Sequence, residues 1–241
     1  MTSRHNEFGQ PIGDEVPGWS PRPLPGKIDI TGRFCRLEPL DTARHGDDLW
    51  QAYSQAADGR DWTYIYVGPF AAWDDFRAYL DKAAASADPR HYAVIDLRTG
   101  RAVGTFSLMR VDAAHGVIEV GNVLFSQAMQ RSPLSTEAHY LLMAHVFETL
   151  GYRRYEWKCD SLNLPSRKTA ERLGFTYEGL FRQALVYKGR NRDTTWYSLL
   201  DGEWPQAKQV FQAWLSPENF DDQGRQRQSL QAIRAALKQQ P

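Results

Sequence analysis

Two strand patterns, each followed by a helix pattern, run without a break from Glu119 to Phe175 and constrain this chain more than any other stretch. Gly116 to Phe125 reads as a strand. Ser132 and Pro133 then supply an N-cap and a first-turn proline, whose missing N–H costs nothing at that position. Behind them Ala138, Leu141, Leu142 and Val146 recur at helical spacing, and Tyr140, Met143, Phe147 and Leu150 widen that face. The spacing predicts a helix buried on more than one side, capped by Gly151. From Tyr152 to Asp160 strict alternation returns, with Arg154, Glu156, Lys158 and Asp160 on one face and Arg153, Tyr155, Trp157 and Cys159 on the other. Asn163 to Leu173 is a short helix stopped by Gly174, and Phe175 resumes a strand.

The flanking sequence fits around that core. Residues 1 to about 30 hold Pro11, Pro17, Pro21, Pro23 and Pro25 among several glycines, so they form an extended arm. Phe8 and Trp19 are placed to pin it to the body or to a second subunit. Thr31 to Leu40 suits a first strand, and Asp41 caps a helix carrying Leu49, Trp50 and Tyr53. An aromatic loop follows (Trp62, Tyr64, Tyr66, Phe70), then a helix from about Ala71 to Ala87. His91 to Val111 reads as a hairpin turning at Thr99-Gly100-Arg101, and a second hairpin turns at Lys188-Gly189. After Trp204-Pro205 the chain is Gln-rich and helical, an appendage suited to packing on the body or to oligomerisation, a homodimer included. The order β, α, α, β, β, β, α, β, α, β, β predicts an α+β (mixed α/β) fold, a mixed twisted sheet with helices on both faces. The expected division is an arm at 1–30, a main domain at 31–205 and an appendage at 206–241.

Charge and composition exclude several functions. Lys plus Arg and Asp plus Glu both number 29, so nothing draws the chain as a whole to nucleic acid or an anionic membrane. Cys35 and Cys159 offer no disulfide framework, and with six scattered histidines no metal-ligand spacing appears. There is no apolar run of about 18 residues and no leader-like N-terminus, so a cytoplasmic setting is expected.

The chemistry-bearing residues cluster in the first stretch. A strand, a tight turn and a helix start aim backbone N–H groups and a positive dipole end at one point, an anion site to which Arg131, Ser132, Ser135 and Thr136 add donors. Glu119 shares a strand face with Val117, Val123 and Phe125, where desolvation would suit a carboxylate to general-base work. The bland alternative is a carboxylate satisfied by a neighbouring arginine. Asn163 is a good N-cap, and Ser166 lies one turn on. Cys159 reads as a small buried residue.

From about residue 31 to 205 the chain resembles a GNAT-superfamily N-acetyltransferase, in the branch of the ribosomal-protein alanine acetyltransferases. The pieces that carry this are RLEPLDTARHGDDLWQA, HYAVIDLRTGRAVGTFSLMRV, IEVGNVLFS, TEAHYLLMAHVFETLGYRRYEWKCDSLNLPSRKTAERLGFTYEG and YKGRNRDTTWYSLLDGEW. The resemblance implies acetyl-CoA or another acyl-CoA as donor. The strand IEVG would pair with the pantetheine through Val120 and Asn122. The loop of Gln130, Arg131, Ser132, Leu134, Ser135 and Thr136 would cradle the pyrophosphate. Asn163 would contact the cofactor, Ser166 would protonate the departing thiolate, and Glu119 would be the base, acting through water. Trp62, Tyr64 and Tyr66 fall where the family places its acceptor.

One departure stands out. The family's phosphate loop, Gln/Arg-x-x-Gly-x-Gly/Ala, here has Pro133 and Ser135 at its small positions, and proline removes one N–H donor. The expected function is acyl-CoA-dependent transfer of an acetyl or succinyl group, by direct attack, to a primary amine on a small molecule or a peptide N-terminus. The alternative is an acyl-CoA-binding protein that keeps the fold with weak or no turnover.

Overall fold

A computed structural model of the protein describes residues 4–238. A short ribbon opens the arm, β1 (Arg4–His5) against β2 (Pro11–Ile12). The main sheet comprises β3 (Ile30–Thr31), β4 (Cys35–Pro39), β5 (Arg90–Asp96), β6 (Arg101–Asp112), β7 (Val117–Phe125), β8 (Arg154–Asp160), β9 (Thr176–Tyr187) and β10 (Arg190–Leu200). Its helices are α1 (Thr42–Ser54), α2 (Trp73–Ala85), α3 (Pro133–Ala144), α4 (Leu164–Leu173), α5 (Trp204–Leu215) and α6 (Leu230–Lys238). The strand order is β3-β4-β5-β6-β7-β8-β10-β9, so the chain reverses direction across the sheet only at its last two strands. All pairs are antiparallel except β7 with β8, which α3 joins by the long crossover that a parallel pair requires.

Two cores cover the sheet, one on each face. Along β5, Tyr92 and Val94 enter one core and Ala93 and Ile95 the other, which is why this strand is apolar at every one of those positions. The smaller core joins α1 and α2 to the sheet through Leu49, Phe76 and Leu80. Asp41 starts α1 by accepting from Arg44 N at 3.0 Å. The larger core lies under α3, α4, α5 and α6. Each of these helices contributes buried apolar side chains to it, Leu142, Leu173, Phe211 and Ile233 among them, so packing holds them in place.

One expectation changes, and two open placements close. The helix predicted to run to Gly151 is α-helical only to Ala144 and continues as a π turn over His145–Thr149. There Leu150 N donates to His145 O at 3.0 Å, a five-residue span that keeps Val146, Phe147 and Leu150 in the core. The C-terminal region packs as part of the body: Trp204, Phe211, Trp214, Leu230 and Ile233 are buried in the same core as Ile118 and Tyr155. A boundary at 205 therefore falls inside α5, though residues 239–241 of that segment lie outside the described ones. Of the two placements open for the arm, the structure shows it on its own body: Trp19 Nε1 donates to Ala114 O at 2.8 Å, and its ring lies against Arg22 and Arg153.

Candidate active site

The site begins where β7 and β8 part. They pair for four residues, Val117↔Arg154 to Val120↔Trp157, and then separate. A bulge in β7 accompanies the split: Asn122 and Val123 together face the single residue Phe106 of β6, with Asn122 at φ 51°. Beyond Val120 and Trp157 the facing edges of β7 and β8 have no partner strand among the described residues, so strand amides and carbonyls border an open fork. An extended amide-bearing chain fits such an edge, since it can complete the ladder.

The turn into α3 stands at the end of β7. Met129 N and Gln130 N donate to Ser126 O, at 2.9 and 3.0 Å, and Arg131 takes φ 56°. Leu134 and Ser135 lie in the first helical turn, where a helix leaves its amides unpartnered. Arg131 is exposed beside them. The hydroxyls point inward instead: Ser132 Oγ donates to Met129 O at 2.7 Å and Ser135 Oγ to Ser132 O at 2.9 Å. Thr136 is fully buried and accepts from Arg172 Nη2 at 2.8 Å, so its side chain is turned away from the loop surface. The Leu134 side chain is buried too, leaving its backbone N–H as the group it offers. Gln130 Nε2 is committed to Phe125 O.

The fork opens into a cleft of about 620 Å³, continuous with solvent, that gathers Tyr64, Tyr66, Glu119, Asn122, Asn163 and Ser166. Asn163 caps α4 by accepting from Ser166 N at 3.2 Å. Ser166 Oγ accepts from Trp157 Nε1 at 2.9 Å and donates to no group among the described residues, so its proton is free to face the cleft. Trp62 lies elsewhere. It is 7% exposed, packed edge-on to Tyr53 and Phe70, and lines a separate pocket beside α1.

Glu119 is buried among charges, not among the apolar neighbours expected from its strand face. Arg110 Nη1 donates to its two oxygens at 3.1 and 2.9 Å, and Lys158 Nζ lies 3.0 Å from Oε2. Lys158 also meets Glu156 at 2.7 Å and sits 3.8 Å over the Trp196 ring. Glu156 in turn accepts from Arg154 at 2.7 Å. A second bulge brings Arg110 in: with Val111 it faces the single residue Ile118, at φ 48°. Asp88 fixes that bulge by accepting from Arg110 N and Val111 N at 2.9 and 3.1 Å. Burial works against the Arg110 charge, but Glu119, and then Tyr66, outweigh it and raise its pKa. At the far wall Tyr187 OH donates to Asp160 at 2.7 Å; burial and then Asp160 push that phenol up to about 12. Cys159 Sγ lies 3.1 Å from Thr195 Oγ1 and is buried.

A fork with free strand edges, an amide-lined helix start at one end and a hydroxyl–carboxylate pair at the other is what comparison with other proteins explains. A sequence profile described as Acetyltransferase (GNAT) domain matches residues 35–176. The chain belongs to the GNAT family of acetyltransferases. The Bacillus subtilis (strain 168) protein YdaF, named as a candidate ribosomal N-acetyltransferase, is 29% identical over 71% of this chain and 92% of its own. A crystal structure of a GCN5-related N-acetyltransferase from Brucella melitensis is 49% identical at TM-score 0.89, covering 91% of this chain and 100% of that one. A GNAT-family structure from Chromobacterium violaceum ATCC 12472, described as a probable acetyltransferase, is 41% identical at TM-score 0.75, over 81% and 98%.

The GNAT assignment makes the protein an N-acetyltransferase, in a family whose acyl donor is acetyl-CoA. The residues present fit that donor: strand edges of Gly121–Phe125 and Lys158–Asp160 suit an amide-rich arm, and the Leu134 and Ser135 amides with Arg131 suit a pyrophosphate. Arg110, Lys158, Asp160 and Arg192 also line the cleft and were not legible as site residues. For Lys158 and Asp160 the alternation of β8 was the available signal. No helix among the described residues is long and apolar enough to cross a membrane.

Proposed function

We propose that this acetyltransferase moves an acetyl group from acetyl-CoA to a primary amine by direct attack inside the cleft between β7 and β8. The observation that carries this is the meeting of Glu119 and the unspent Ser166 hydroxyl in one cleft at the base of the fork. Bound there, acetyl-CoA supplies an activated thioester carbonyl. The strand edges and the α3 amides hold the donor, so proximity supplies much of the acceleration. Glu119, through a water, takes a proton from the incoming ammonium. Arg110 and Lys158 fix that carboxylate's orientation. Ser166 delivers its proton to the leaving sulfur, with the Trp157 indole holding the hydroxyl in place. Tyr64 and Tyr66 border the acceptor, an amine for which the name of the B. subtilis relative makes a ribosomal component one candidate.

Calorimetric titration with acetyl-CoA and succinyl-CoA, followed by release of free CoA in the presence of amines, tests this reading. Saturable binding with amine-dependent CoA release supports it; no binding of either thioester to folded protein contradicts it. The second reading, an acyl-CoA-binding protein without turnover, draws on Pro133 and on the ion pairs that occupy Glu119. Binding without transfer to any amine would favour it.

A further inference from the structure

Arg192 is the one cleft cation that none of the ion pairs among the described residues includes. It is 6% exposed. Nε donates to Thr194 Oγ1 and Nη1 to the Tyr66 hydroxyl, both at 3.1 Å, while Nη2 donates to nothing among the described residues. Among the described residues no carboxylate accepts from this guanidinium. Glu119 is held by Arg110 and Lys158. Asp160 accepts from Tyr187 OH at 2.7 Å and Leu162 N at 2.9 Å. Asp193 accepts from Gln183 N at 2.7 Å and Asn191 Nδ2 at 3.0 Å.

A guanidinium carries five N–H groups in a fixed fork, and only two of them are used here. The Tyr66 and Tyr187 rings, 5.5 and 5.8 Å from the guanidinium carbon, offset part of the cost of burying that charge, and a planar carboxylate matches the three remaining donors best. The position favours the acceptor as its source. Along β10 the pairing to β8 ends at Thr194↔Asp160, so Arg192 lies beyond the last residue of β8. The base of the fork is at Trp157, opposite Tyr197, so Arg192 lies five strand residues further out, or roughly 16 Å. There it bonds to the loop that carries Tyr64 and Tyr66.

We propose that Arg192 binds a carboxylate carried by the acceptor, so that the enzyme selects amines with an oxyanion close by: a free amino acid, or a peptide N-terminus with an acidic neighbour. This rests on the reading that acyl-CoA and amine share the cleft. Two parallel N–H···O bonds to the acceptor would also fix its amine relative to Glu119.

Titration of the CoA-saturated protein with N-acetylalanine and N-acetylglutamate, each against its uncharged amide, tests the assignment whichever amine the enzyme acetylates. The wild type is expected to bind the acids at least about tenfold tighter than the amides. Arg192→Gln is expected to reduce that advantage to about twofold or less, with Arg192→Lys between them. Equal affinity of acids and amides for the wild type, or no carboxylate-dependent binding, overturns the proposal without any variant. A second arm compares succinyl-CoA with acetyl-CoA. A strong preference for succinyl-CoA that Arg192→Gln abolishes, with acids and amides bound alike, would assign Arg192 to the acyl donor and overturn the acceptor assignment. Failure of CoA itself to bind contradicts the proposed function first and this inference with it, an outcome distinct from CoA binding without acid preference.

Discussion

Glu119 and Ser166 carry opposite halves of the proposed proton traffic, and their surroundings predict different failures. Glu119→Gln is expected to lower kcat about a hundredfold or more, the usual loss of a general base. Its folding cost stays near 1–3 kcal/mol, because Arg110 is half exposed and Lys158 keeps Glu156. Ser166→Ala also slows transfer, and it strands the Trp157 N–H. Stopped-flow turnover beside urea unfolding separates these effects; unchanged kcat in both variants would leave the pair structural. Strand parity marked Glu119 and the N-cap pattern marked Asn163, while Ser166 took its candidate role from the family resemblance. Arg110 escaped because a bulge puts it out of phase with its strand, so counting alternate residues sends it to the wrong face. Arg192 escaped because one charge on a strand says nothing about whether a counter-charge lies across from it.

The fork depends on an element, the bulge of β7, more than on any side chain in it. Asn122 holds φ 51°, a left-handed conformation that β-branched residues strongly resist. Asn122→Val is therefore expected to destabilise the protein by about 1–2 kcal/mol and to weaken acyl-CoA binding, whereas Asn122→Gly preserves both. Thermal unfolding and calorimetry of the pair check this; a valine variant with unchanged CoA affinity would separate the bulge from the cofactor site. Strand and helix order was legible from periodicity because each element buries a distinct face. The π turn at His145–Thr149 was not, since it preserves the same apolar pattern that a straight helix would show.

At the scale of the molecule, the C-terminal helices and the acid limb of stability are the exposed points. Deleting residues from 204 onward strips Trp204, Phe211, Trp214, Leu230 and Ile233 from the main core and is expected to abolish cooperative folding. Trp214→Ala alone should cost about 3–5 kcal/mol by urea denaturation. The sequence left packing on the body and oligomerisation both open there, because helical spacing shows an apolar face without showing what covers it. His139, ringed by Phe106, Phe125 and Trp157, is held down to about 3 by burial and then by Arg172. Its unfolded value is near 6.5, so between the two the unfolded chain binds a proton that the folded one refuses. Its contribution is full above that window and falls by up to about 1.4 kcal/mol per pH unit as pH drops through it. His91, lowered by burial to about 4, acts in the same direction. His139→Gln should flatten the acid limb of a stability–pH curve, and an unchanged slope would contradict that assignment.

A crystal structure of the protein with CoA would show whether the fork between β7 and β8 holds the donor. The pantetheine is expected along the free edges of β7 and β8, the pyrophosphate on the Leu134 and Ser135 amides, and the sulfur within hydrogen-bonding reach of Ser166 Oγ. CoA bound outside the fork, or with its sulfur turned away from Ser166 and Glu119, would contradict that placement.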